Sequence, residues 1–205
     1  SLGNQAVLTN IASYSSGTGL YDTLGTDSDF TAAGGIVKAV ETTGGTTISD
    51  GVYFAGSFTK RIMYGTYGGG GAVPTTRNDG WTTAAPNDQI YALRMHAGKL
   101  YVAGMFTAVE NVATYKKVGR IAAPLSSPAV WDDPFTGLTG TPTNEVFALA
   151  SDSANGLLYI AGNFDNQDVF GITTAAGGIK PSCIVVWAGT AGVAPTKLSR
   201  YGDVR

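Results

Sequence analysis

One seven-residue segment occurs three times in this chain, and any fold must give all three copies equivalent surroundings. The copies are Val52-Tyr53-Phe54-Ala55-Gly56-Ser57-Phe58, Leu100-Tyr101-Val102-Ala103-Gly104-Met105-Phe106 and Leu158-Tyr159-Ile160-Ala161-Gly162-Asn163-Phe164. Their shared core is Ala-Gly-x-Phe after an apolar run, and the copies stand 48 and 58 residues apart. Self-similarity at such a period marks repeat architectures, in which one supersecondary unit buries its apolar face only against its neighbours. Each copy follows a second apolar stretch: Val37 to Val40, Ile90 to Leu93 and Val146 to Leu149. The connectors carry turn chemistry, with Ala97-Gly98-Lys99, Asp152 to Gly156, and a longer Gly44-Gly45 to Asp50-Gly51 in the first copy. The pairs predict three β-hairpins.

A second signature lies between the hairpins. Ala72-Val73-Pro74 stands nine residues before Trp81, Ala122-Ala123-Pro124 nine before Trp131, and the same count from Ala12 reaches Tyr21. A fourth start is read near the end, where Lys180-Pro181-Ser182-Cys183-Ile184-Val185 aligns with Lys117-Val118-Gly119-Arg120-Ile121-Ala122, with Trp187 too early to be the aligned aromatic. On this anchor the periods are 60, 50 and 63 residues. Each unit offers a strand ending near the Pro, a strand around the aromatic, and a hairpin. Four antiparallel strands per repeat is what a β-propeller blade requires. The fold class expected is all-β: a β-propeller-like array of about three four-stranded antiparallel blades plus the start of a fourth, part of a larger or oligomeric propeller. The whole chain, 1–205, reads as one repeat-built domain with units at about 10–65, 66–118 and 119–182 and a partial unit at 183–205. No helical apolar periodicity persists over three turns, because Gly and Thr clusters interrupt every window. The repeat anchors are structural: Ala55, Gly56, Phe58, Ala103, Gly104, Phe106, Ala161, Gly162, Phe164, Trp81 and Trp131. In this reading Ala and Gly let neighbouring sheets approach closely, and Phe and Tyr fill the space between them.

Gln89-Ile90-Tyr91-Ala92-Leu93 followed by Leu100-Tyr101-Val102-Ala103-Gly104-Met105-Phe106-Thr107 resembles the kelch-like propeller repeats of roughly 60 residues found in bacterial secreted proteins and in fungal cortical polarity proteins of the Rax2 type. The resemblance extends over about residues 10 to 190. This chain has Ala-Gly where that family has Gly-Gly, and its first copy has Lys38 at the Tyr91 position and Tyr21 in place of Trp. The resemblance implies a noncatalytic display or interaction scaffold at a surface, and it carries over no catalytic residue.

Composition narrows the partners. Charged residues are 14% of the chain and the formal charge is only -2. Nucleic acid and anionic membrane both require a concentrated excess of Lys and Arg, so neither is expected as a partner. Lys60-Arg61 and Lys116-Lys117 are the only adjacent basic pairs. No apolar run approaches the roughly 20 residues of a spanning helix, so membrane insertion is not expected. Single Cys183 and single His96 exclude an intrachain disulfide and the clustered Cys/His zinc sites. The chain starts at Ser1 without Met, and three and a half units do not close a ring unaided, so a partner or further chain is expected.

The search for chemistry is mostly negative. Nucleophilic catalysis would have to use His96, which reads as a solvated turn residue. Cys183 opens an apolar strand and reads as a small hydrophobe. The remaining carboxylates, Asp132-Asp133 beside Trp131 and Asp88 and Glu145 ahead of the hairpins, read as loop acids. The Asp-box of sialidase-like propellers has only a faint echo in Asp79-Gly80-Trp81. Asp22, Asp27 and Asp29, and Asp165, Asn166 and Asp168, form two oxygen-rich loops that match no calcium motif, and Asx turns explain them. Tyr67-Gly68-Gly69-Gly70-Gly71 leads into Ala72-Val73-Pro74 and lacks the Gly-Lys-Ser/Thr of a phosphate loop. No metal or cofactor is therefore expected.

Two functions fit. One is a non-enzymatic structural or interaction module, a β-propeller-like part of a secreted, cell-surface or virion assembly, partnered by other protein subunits or the remainder of a longer chain. The other is a carbohydrate-binding or carbohydrate-active propeller that stacks sugars on Trp81, Trp131 or Trp187.

Overall fold

The computed structural model describes residues 12–15, 20–23, 36–43, 51–58, 61–68, 72–77, 86–109, 115, 117–122, 130–138, 145–163, 184–189 and 194–197. These residues form β-strands and turns without a helix. β1 (Ala12–Ser15) pairs with β2 (Leu20–Thr23) in a two-stranded sheet. The first four-stranded sheet runs β3 (Val37–Thr42), β4 (Gly51–Gly56), β5 (Ile62–Gly68), β6 (Ala72–Arg77). The second runs β7 (Ile90–His96), β8 (Lys99–Gly104), β9 (Val118–Ile121), β10 (Trp131–Asp132). The third runs β11 (Val146–Asp152), β12 (Leu157–Gly162), β13 (Ile184–Trp187), β14 (Thr196–Lys197). All pairs are antiparallel between consecutive strands, so the chain is all-β.

The sheets and the sequence units hold the same strands in two phases. The units cut the chain before the Pro-bearing strand; hydrogen bonding cuts it before each hairpin. A sequence period has no intrinsic starting point, and pairing supplies one. Pairing also resets the last alignment. Ile184 faces Ala161 as Val118 faces Ala103, so Ile184 corresponds to Val118 and Trp187 to Ile121. The nine-residue spacing marks different strands in different sheets: Ala72-Val73-Pro74 lies in β6, a fourth strand, whereas Ala122 directly follows β9, a third strand. β6 is an edge, where proline's missing N–H is tolerated. Trp81 and Phe164 lie outside the described residues.

The three hairpins close identically. The residue after each Ala-Gly donates its N–H to the carbonyl just before the first strand: Ser57 to Ile36, Met105 to Gln89 and Asn163 to Glu145, each at 2.9 Å. That carbonyl lies where a glycine side chain would be. A Cβ at Gly56 would meet Ile36 O, and one at Gly104 would meet Gln89 O. The close approach that needs glycine is thus to the entering backbone of the same sheet, not to the neighbouring sheet. Beyond Ala-Gly-x-Phe the chain turns through a left-handed basic residue, Arg61 at φ 62 and Lys117 at φ 65. Non-glycine residues resist that conformation by about 1–2 kcal/mol. Main-chain bonds from Gly56 N to Arg61 O (2.9 Å) and from Gly104 N to Lys117 O (3.1 Å) hold it. The basic side chains fold back onto the loop, with Arg61 Nη1 donating to Ser57 O at 2.8 Å and Lys117 Nζ to Met105 O at 2.6 Å.

The sheets stack through their first strands, β7 lying against both β3 and β11. Strand alternation sends neighbouring residues to opposite faces. Tyr53, Ala55 and Ile62 of the first sheet therefore meet Leu93, Leu100, Val102 and Ile121 of the second in one core cluster. Tyr101 and Ala103, on the opposite face of the second sheet, meet Leu158, Ile160, Val185 and Trp187 of the third. Of the aromatic anchors, Phe58 packs with Val52 and Phe54 in a buried cluster apart from the core shared with the second sheet, and Phe106 joins the core between the first and second. Trp131 packs over Gly119 and edge-on to Phe106 and Tyr115, with ring centroids 6.3 and 6.1 Å away.

Gly104→Ala is expected to destabilise the fold by about 1–3 kcal/mol, the cost of forcing backbone out of an overpacked position. Gly98→Ala meets no atom within 4 Å and bears only the left-handed cost of its φ of 72°. Urea midpoints of the two variants should fall in that order, and equal midpoints would refute the close-approach account.

Candidate functional site

The hairpins share one irregularity. Between Val37↔Gly56 and Ala39↔Ala55 the ladder skips Lys38; between Ile90↔Gly104 and Ala92↔Ala103 it skips Tyr91; between Val146↔Gly162 and Ala148↔Ala161 it skips Phe147. A β-bulge re-aims the side chain of its extra residue. Because the three first strands lie side by side, the bulged residues form a row. Lys38 Nζ sits 4.2 Å from the Tyr91 ring centroid and donates to Gln89 Oε1 at 2.6 Å. Tyr91 and Phe147 are 5.7 Å apart between centroids, and the Tyr91 hydroxyl donates to Met105 Sδ at 3.0 Å. Burial, then the charges of Glu145 and Asp88, push the Tyr91 hydroxyl above its ordinary pKa. Phe147 remains 51% exposed.

The second feature is a sheet face. The face that carries Tyr53 and Ala55 in the first sheet, and Tyr101 and Ala103 in the second, is buried in both by the sheet that follows. In the third sheet the equivalent Tyr159 and Ala161 are only half-buried, and among the described residues no further sheet lies over them. A groove of about 220 Å³ runs across this face, lined by Ala148, Leu149, Ala150, Tyr159, Ala161 and Ile184. Its walls are apolar.

The residues singled out for chemistry are placed elsewhere. His96 is 3% exposed, not solvated: it ends β7 facing the third sheet, its Nδ1 paired with Ser151 Oγ at 2.8 Å and its ring edge-on to Tyr101 at 5.8 Å. The turn itself is Ala97-Gly98, and β7 runs three residues beyond the apolar stretch that ends at Leu93. No carboxylate orients this imidazole among its described hydrogen bonds. Asp132 grips Arg120, accepting from Nε at 2.7 Å and from Nη2 at 2.5 Å. That pair, with Tyr101 beneath it, holds the buried guanidinium charged and raises its pKa further. Asp133 Oδ1 accepts the Phe135 N–H at 2.8 Å, as an Asx turn does, and Asp88 Oδ1 accepts the N–H of the adjacent Gln89 at 2.7 Å. Among the described residues, no group of three or more His, Cys, Asp or Glu is placed to hold a metal. Cys183, Gly69 to Gly71, Asp79 and Gly80, the side chain of Asp22, and Asp27, Asp29, Asp165, Asn166 and Asp168 lie outside the described side chains.

Of the tryptophans read as sugar platforms, Trp187 is 1% exposed, wedged against Phe135 at 5.1 Å and Tyr101 at 5.8 Å. Sequence reasoning missed the Lys38–Tyr91–Phe147 row as a unit. Its signal was present in the alignment of Lys38 with Tyr91, but a bulge is a pairing property and shows only in the ladder.

The fold and its surfaces define an all-β repeat protein of stacked antiparallel sheets, with a bulged row across the first strands and an apolar face at one end. No family model, curated protein or solved structure matches the chain.

Burial lowers the His96 pKa below its ordinary value of 6.5. The folded state therefore favours the neutral ring, and the unfolded chain takes up the proton first as pH falls. Stability should be flat above about pH 7, decline through the ordinary imidazole range and level off below the depressed folded value. His96→Gln should remove that decline in urea midpoints measured from pH 7.5 to 5.5. An unaltered decline would place its origin elsewhere.

Proposed function

We propose that this chain is a non-enzymatic structural and interaction module, a β-propeller-like part of a larger surface assembly. Secreted, cell-surface and virion assemblies all suit its low charge and its abundance of Gly. Its partners are other protein subunits or the remainder of a longer chain, and neither nucleic acid nor a membrane interior. The observation that carries the reading is the stack itself. One face type, Tyr and Ala on the second strand, is sealed by the next sheet twice, and in the third sheet it is half-buried with no further sheet over it among the described residues. Such a face is an association surface, because apolar area exposed to water favours burial by about 25 cal/mol per Å². Among the described residues, His96, Asp88, Asp132 and Asp133 are engaged in hydrogen bonds within turns or between strands. Native mass spectrometry of material from the source tests this. The polypeptide is expected in a stoichiometric complex or particle, and a free 21.0 kDa species alone would overturn the module reading.

A carbohydrate-binding reading draws on the exposed Phe147 beside Tyr91, since Trp187 is inaccessible. Under it, a glycan array probed with the full chain shows binding that Phe147→Ala abolishes, and a blank array ends it.

A further inference from the structure

The seam between the second and third sheets contains a histidine, and the equivalent seam between the first and second does not. His96, the single histidine of the chain, ends β7 with 3% of its surface exposed. Its ring packs edge-on to Tyr101 at 5.8 Å and its Nδ1 meets Ser151 Oγ of β11 at 2.8 Å, so it touches both sheets that form the seam. The other ring nitrogen lies against Gly189, where a Cβ would stand 3.6 Å from Nε2, and among the described residues it has no hydrogen-bond partner. The alanines that follow the bulges, Ala39, Ala92 and Ala148, align His96 with Thr43 and Ser151 with Met95. Thr43 keeps its hydroxyl within its own hairpin, bonded to the Gly51 main chain at 3.1 and 3.2 Å. At this position the first seam holds a hydroxyl where the second holds an imidazole.

No element packed against the ring supplies it with a counter-charge. Its own hairpin contributes cations: Lys99 is its ladder partner, and Arg94, two residues earlier on β7, lies 3.8 Å from Glu41 of the first sheet. Arg120 of β9, 6.0 Å from the Tyr101 ring centre, is already matched by Asp132 of β10. The third sheet presents hydroxyls, Ser151 with Ser153 at 3.3 Å, while the carboxylate of Asp152 holds Asn155. A proton added to this ring therefore places a cation in an apolar seam, facing one hydroxyl. Burial lowers the imidazole pKa for that reason, and water restores the ordinary value once the ring is uncovered. As pH falls through the ordinary imidazole range, the open form takes up the proton first, so opening gains population. With an ordinary value of 6.5, an open form at about pH 5.5 gains up to roughly tenfold over a closed form that stays neutral.

We propose that His96 makes the seam between the second and third sheets an acid-released joint. Acid parts the third sheet from the second while the first seam stays closed, uncovering Tyr101 and Ala103 and the Leu158 and Ile160 that meet them. An apolar surface is thereby presented in acid and sealed at neutral pH. The joint is a contact within the chain, so it is independent of what the chain assembles with.

A thiol in each seam tests this. Ala55 and Ala103 are fully buried and hold equivalent ladder positions, so a cysteine at either reports the opening of its own seam. The full chain carrying Cys183→Ser with either Ala55→Cys or Ala103→Cys is labelled with a pyridyl disulfide at about pH 7.5 and about pH 5.5. The ratio of the Ala103→Cys rate to the Ala55→Cys rate cancels the reagent's own pH dependence. On acidification it should rise severalfold, to at most about tenfold, and His96→Gln should hold it constant. Should a thiol disturb either core, NMR exchange of the Trp187 indole N–H in the unaltered chain reads the same seam, and after correction for intrinsic exchange it should quicken by the same factor. A constant ratio, or a corrected indole rate indifferent to pH, overturns the proposal. So does a rise that persists in His96→Gln, which assigns the acid response to another group.

Discussion

The carbonyl that enters each hairpin lies over the glycine of Ala-Gly-x-Phe, and the rest of the repeat is arranged around that contact. With no Cβ at Gly56 or Gly104, the first strand can cross the end of the second closely enough for Ile36 O and Gln89 O to accept the next N–H. The crossing leaves one residue too many on the first strand. That residue becomes the bulge, and the bulge turns Lys38, Tyr91 and Phe147 out of the ladder. The same closure drives the chain beyond the glycine through a left-handed Arg61 or Lys117, whose side chain then braces the loop. Local backbone geometry thus decides which side chains are displayed and which are packed.

Packing follows from a constraint on each sheet: both of its faces are apolar along the second strand, and in the first two sheets a neighbouring sheet covers the face of Tyr53 and Tyr101. Tyr53 and Tyr101 each end about 1% exposed because a neighbour supplies branched aliphatics opposite them. Burying a side chain of that size contributes roughly 1.5–3 kcal/mol. The stack is therefore held by a series of like interfaces between neighbouring sheets. Charge enters as a local brace. Arg120 is 7% exposed and is tolerated because Asp132 meets it with two hydrogen bonds.

The hairpins were legible in the sequence because two-residue alternation and turn chemistry are local. The Ala-Gly-x-Phe copies fall on β4, β8 and β12 as their spacing implies. The phase of the sheets was not legible, since nothing local tells a third strand whether it belongs with the hairpin before it or after it. The nine-residue spacing failed as a strand marker for the same reason: loops of different length put Ala72 in β6 but Ala122 after β9. His96 reads as a turn residue because its neighbours are Ala97 and Gly98, yet the turn is tight enough to leave the imidazole under the third sheet. Asp132 looks like a free loop acid until Arg120, twelve residues earlier, is seen across the ladder.

By itself the sequence determined an all-β chain of repeated hairpins, because that depends on residue type and short-range spacing. Tertiary structure alone decided which strands share a sheet and which tryptophan is buried. It also brought Lys38, Tyr91 and Phe147 into one row and left Tyr159 and Ala161 half-buried, with no sheet over them among the described residues. Those are outcomes of pairing and stacking between residues tens of positions apart, and the free energy that selects them resides in surfaces that do not exist until the sheets meet.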